Sequence, residues 1–60
     1  MKKIVVGQQV KLASMQDMIF EVTQINYDES YEIQAHLTEK EVLKYGNISA
    51  EMLVLVDTQN

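Results

Sequence analysis

Apolar and polar residues alternate along much of the chain, and the alternation predicts its elements. Val10 and Leu12 point one way, Lys11 and Ala13 the other. This period of two marks a half-buried strand over residues 9–13. Ser14-Met15-Gln16-Asp17 breaks the rhythm and reads as a loop. Residues 18–27 are the longest strand candidate, with Met18, Phe20 and Val22 on one side and Ile19, Glu21 and Thr23 on the other. The apolar positions then move to Ile25 and Tyr27. A one-residue slip turns every later side chain to the opposite face, so a bulge near Thr23-Gln24 is expected to restore the apolar side and bend the strand. Asp28-Glu29-Ser30 makes the turn, because Asp and Ser side chains bond nearby backbone amides. Tyr31, Ile33, Ala35 and Leu37 then alternate with Glu32, Gln34, His36 and Thr38. The two runs predict an antiparallel hairpin.

Residues 37–56 carry two conflicting signals. Thr38 with Glu41 has the spacing of a helix capping box, and Leu37 with Val42 that of a hydrophobic staple. Gly46 stands where a C-cap glycine belongs. These cues point to a helix over 39–46. Such a helix has only about two turns, which is marginal in water, and its apolar residues are few: Val42, Leu43 and Tyr45. The other reading turns the chain at Glu39-Lys40 and runs a strand from Val42 to Ile48. Ser49-Ala50-Glu51-Met52 then forms one tight helical turn before a last strand at Leu53 to Val56.

The second reading gives an all-β fold for a single domain, residues 1–60: a five-stranded SH3-like barrel with a short 3₁₀ turn before the last strand. An α+β antiparallel sheet with one short helix at 39–46 is the alternative. The spacing Gly7-x-x-Val10-x-Leu12, Met18-x-Phe20-x-Val22-x-x-Ile25, Ile33 and Ile48-x-x-Glu51-x-Leu53 resembles the small bacterial YodC-like proteins. More broadly it resembles SH3-like barrels of the KOW and Tudor type. The resemblance spans residues 7–56 and implies a barrel without a defined activity. Analogy of fold alone suggests a bacterial, phage or prophage accessory protein.

Size and composition narrow the function. At 60 residues the chain has little core to bury, and with no cysteine it has neither disulfide nor thiolate metal site. Tight packing or self-association is left to stabilise it. The absence of cysteine fits a cytoplasmic setting. The opening MKKIVVGQQVKL has too short an apolar run for a signal peptide, and no segment approaches a membrane span. Asn47-Ile48-Ser49 matches a glycosylation triplet, which without a secretory signal reads as coincidence. Nine acids against five bases give a net charge of −4, which repels polyanions at long range. Lys2, Lys3 and Lys11 are a weak basic footprint at best.

No constellation points to catalysis. His36 is the only histidine, and it falls on the outer face with Glu32 and Gln34, where a solvated ring is expected. Ser14, Ser30 and Ser49 read as turn or cap residues. Asp28, Glu29 and Glu32 lack the spacing of a calcium loop. Glu39 and Glu41 alternate with Lys40 and Lys44 as surface charge. No catalytic, metal or cofactor-binding residue is therefore expected, and the chain reads as a non-enzymatic binding module. Leu53-Val54-Leu55-Val56 is apolar on both faces, as is Ile4-Val5-Val6. The two runs either pair and are covered by the rest of the chain, or leave Val5, Val54 and Val56 as an exposed stripe for a partner. Tyr27 and Tyr31 flank one turn, where they either pack at the core edge or present rings to a ligand. The expected partner-binding residues are thus Val5, Val54, Val56, Tyr27 and Tyr31, and the expected partner is a protein or a second copy in a homodimer. The alternative is a nucleic-acid accessory module of KOW/Tudor type, with Lys2, Lys3 and Lys11 on phosphate and Tyr27 stacking on a base.

Overall fold

The computed structural model describes residues 4–56. Five strands, β1 (Gln9–Leu12), β2 (Met15–Ile25), β3 (Tyr31–His36), β4 (Val42–Ile48) and β5 (Leu53–Leu55), form one antiparallel sheet. A 3₁₀ turn, Ala50–Met52, precedes β5. The order across the sheet is β4-β3-β2-β1-β5. Four strands follow one another, and the fifth crosses back to pair with the first, the SH3-like plan. The ladder is linear, so the ends at β4 and β5 are not hydrogen-bonded to each other and the sheet stays open.

Alternation fills the inner face. Val10, Leu12, Phe20, Val22, Ile33, Ala35 and Leu53 are buried, and Ile4 joins them from the segment before β1. Leu12 stands opposite Leu53, Val10 opposite both Phe20 and Leu55, and Val22 opposite Ile33. The Phe20 and Tyr45 rings meet at 5.8 Å with a 49° tilt. They sit on β2 and β4, with β3 between, so the sheet must curl to bring them together. Tilted aromatic pairs of this kind add to plain burial.

Residues 39–46 are not a helix. Thr38 does cap amides, as its sequence context suggests, but the object capped is a turn: its Oγ1 accepts from Lys40 N (3.1 Å) and Glu41 N (3.0 Å). The chain then reverses through Leu37 N donating to Glu41 O and enters β4. Pairing of β4 along β3, from His36↔Val42 to Tyr31↔Ile48, supplies backbone bonds that a two-turn helix lacks tertiary support to match. Gly46 lies inside β4, not past a helix end. The register slips there, with two residues, Gly46 and Asn47, opposite Glu32 alone. Asn47 takes φ 60°, a conformation that Asn tolerates better than most residues.

Four finer expectations need correction. Met15, Gln16 and Asp17 belong to β2; only Ala13 and Ser14 turn the chain. The bulge at Val22–Gln24 exists, yet it does not return Ile25 and Tyr27 to the core. Ile25 is 42% exposed and Tyr27 fully exposed, because β2 runs past the end of the inner layer. Leu37 likewise lies beyond β3 and is exposed. Ile4-Val5-Val6 does not pair with β5. That place is taken by β1, while Gly7 N donates to Val22 O and Val22 N to Gln8 O, holding this segment beside β2.

Candidate functional site

Ten large apolar residues of the described chain are substantially exposed, against seven buried ones. Single exposed apolar side chains are ordinary; an excess over the core, gathered in places, is not. Two places stand out.

The first is the β5 edge. Met52, Val54 and Leu55 are each about 40% exposed, and Val56 is half-buried. Leu53 turns inward opposite Leu12, so Val54 points outward opposite Lys11. Val56 N donates to Gln9 O at 3.1 Å, and Gln8 N donates to Val5 O at 3.0 Å. Val5, 46% exposed, therefore sits near the start of β1, at the end of the sheet where β5 finishes. Val54 and Val56 lie along this edge, whereas Val5 belongs to the segment held beside β2. An open depression lined by Val5, Val6, Gly7, Gln8, Gln9 and Glu21 lies toward β2 and includes no residue of β5.

The second is the β2–β3 turn. Tyr27 stands free at its tip. Tyr31 is half-buried and packs against the core, paired with Ile25 and not with Tyr27. The two tyrosines expected to act together thus do different jobs.

Beneath this tip lies a polar network that composition did not reveal. Ser30 is the buried polar residue of the described chain. Its backbone N donates to Asp28 Oδ1 (3.1 Å) and its hydroxyl to the same oxygen (2.6 Å). Asn26 Nδ2 donates to Ser30 Oγ (3.0 Å), and Gln24 Nε2 donates to Asn26 Oδ1 (2.8 Å). The side-chain amide of Asn47 lies 3.1 Å from the same hydroxyl oxygen. A serine hydroxyl has one proton. The short bond to Asp28 takes it, and Asn47 Oδ1 is the second acceptor within reach of the same hydroxyl. The network ties the turn to the β4 bulge. Hydrogen bonds from the Ser30 hydroxyl, then from its backbone N–H, hold the Asp28 carboxyl below the ordinary aspartate range. With its hydroxyl committed to a carboxylate and no base beside it, Ser30 is a structural group. Asn47 of the glycosylation-like triplet is engaged in the same way.

His36 ends β3 opposite Val42, exposed, with no hydrogen bond to a serine among the described residues. No group of three or more His, Cys, Asp or Glu converges on a metal-sized space among the described residues. Lys2 and Lys3 lie outside those residues. Lys11 and Tyr27 do not converge: Gln9 faces Glu21, Lys11 lies two residues one way from that rung, and Tyr27 six residues the other. No helix of the described chain is long and apolar enough to cross a membrane. Comparison with family models, curated proteins and solved structures finds no match.

Proposed function

We propose that the chain is a non-enzymatic protein-interaction module that buries the apolar face around β5 against a partner, the simplest being a second copy of itself. The excess of exposed over buried large apolar residues carries this reading. β5 is an edge strand of three residues, and among the described residues no strand pairs with its outer side. Edge strands with apolar flanks are templates for pairing. A two-fold contact sets Val54 of one copy near Val54 of the other, with Val56 at the margin. A domain of 60 residues with no disulfide gains stability from such burial. The YodC-like resemblance and a bacterial or phage accessory role belong to the same proposal, on the strand plan alone.

Sedimentation velocity over a wide range of concentration tests it. The native chain should pass from monomer to dimer, and Val54→Glu should weaken the dimer more than tenfold by burying a charge at its centre. Val54 points away from the core, so the variant should keep its circular dichroism. A chain that stays monomeric at the highest concentration, or a Val54→Glu variant that dimerises as before, overturns the self-association reading.

A further inference from the structure

We propose that the tip of the β2–β3 turn is a second docking element: Tyr27, with Ile25 beside it, enters an apolar pocket on a protein partner whose rim is basic. The proposal concerns a different face from β5, two strands away in sheet order. Three observations carry it.

Tyr27 is as exposed as an isolated side chain can be, at 107%, and Ile25 is 42% exposed. With Gln24 and Asn26 they border an open groove of about 400 Å³. A protruding tyrosine offers a large contact area with few rotors to freeze, the property that makes it a frequent interface anchor.

Charge selects the partner. No lysine or arginine occurs in residues 12–39, where six acids fall: Asp17, Glu21, Asp28, Glu29, Glu32 and Glu39. Asp28 and Glu29 follow Tyr27 directly, and Glu32 stands opposite Gln24. The facing part of β4 is Gly46, Asn47 and Ile48, all uncharged; Lys44 pairs further along with Gln34. The tip therefore carries acids from the turn itself and from β3, with no base on the facing parts of β2, β3 or β4. Such a surface attracts a cationic partner and repels nucleic acid, and tip-to-tip contact of two copies sets acid against acid.

The tip is also held in shape before any partner arrives. The Ser30 network fixes the base of the turn, and Asn26 N donates to Ser30 O at 2.9 Å. A preformed anchor loses less entropy on docking.

The test selects a displayed random peptide library on the full chain, then titrates the synthesised winners with NMR detection. Winners should combine Lys or Arg with apolar residues, move the signals of residues 25–29, and bind more weakly as salt rises. Tyr27→Ala should cost on the order of 30-fold in affinity, and Glu29→Gln a few-fold. Both side chains are exposed, so neither change should unfold the chain. Winners without basic residues, affinity indifferent to Tyr27→Ala, or no winners at all would overturn the proposal. So would an oligonucleotide, or a second copy of the chain, moving the same signals. Val54→Glu should leave peptide binding intact and Tyr27→Ala should leave self-association intact, so the two interaction readings fail separately.

Discussion

At one end of β3 the chain reverses through Asp28 and Ser30, at the other through Thr38 and Glu41. The local chemistry is the same: a short side-chain oxygen accepts a backbone amide two residues on, Asp28 from Ser30 N and Thr38 from Lys40 N. The surroundings differ. Ser30 is buried and its hydroxyl meets Asn26, Asp28 and Asn47, so the first turn is tied to β4. Residues 37–41 are exposed, and Thr38 bonds only within its own turn. A side-chain cap therefore secures a turn locally, and becomes part of the tertiary structure only when its partners come from another strand and water is excluded.

The largest effect should follow from Ser30→Ala. Removing the hydroxyl takes the acceptor from Asn26 Nδ2 and the hydroxyl donor from Asp28 and Asn47, leaving Asp28 only the backbone N–H of residue 30, a loss of about 2 kcal/mol by urea denaturation. For a domain of this size that is a large share of total stability. A loss below about 0.5 kcal/mol, within the range of an ordinary surface change, would mean that water replaces the hydroxyl and that the two turns are equivalent.

Thr38→Ala should cost less, about 1 kcal/mol, because the freed amides of Lys40 and Glu41 reach solvent. Thr38→Ser keeps the oxygen and should recover most of it. Amide exchange adds a sharper readout. Thr38→Ala should speed exchange within its own turn alone, whereas Ser30→Ala should also loosen β4 around Asn47. Loosening of β4 by both variants would erase the distinction.

The same contrast explains what the sequence made legible. Strand spans followed from alternation because one face of each strand is buried: Val10, Leu12, Phe20, Val22, Ile33 and Ala35 all lie where the period of two places them. The bulge near Thr23-Gln24 was readable from the slip in that period. Its consequence was not, since periodicity tells which side a residue faces but not where the sheet's inner layer stops. Ile25, Tyr27 and Leu37 all lie beyond that limit. The capping signal at Thr38 was real, but a cap serves a turn as well as a helix, and only pairing of β4 with β3 decides between them. Which side of the apolar run Leu53 to Val56 faces outward was not readable, because an unbroken run has no period; the register of β5 on β1 turns Val54 outward opposite Lys11. The Ser30 network was not readable either, because Gln24, Asn26, Asp28, Ser30 and Asn47 are ordinary turn residues until the β4 bulge brings Asn47 across.

The smallest difference between the turns should lie in their response to acid. In the folded chain the bonds from Ser30 favour the ionised Asp28 carboxylate and lower its pKa. A depressed folded pKa means that the stabilisation is present above the ordinary aspartate value and is lost as pH falls through the lower, folded one. Because Asp28 is exposed, solvent keeps the effect modest. Thr38 does not titrate, so acid should loosen the β2–β3 turn before the β3–β4 turn. Asp28→Asn keeps an oxygen to accept from Ser30 but has no proton to gain. Its stability curve should therefore be flatter than that of the native chain on the acid side and lower above it. Parallel acid limbs for the two proteins would show that the charge on Asp28 contributes nothing, leaving the difference between the turns to burial and geometry alone.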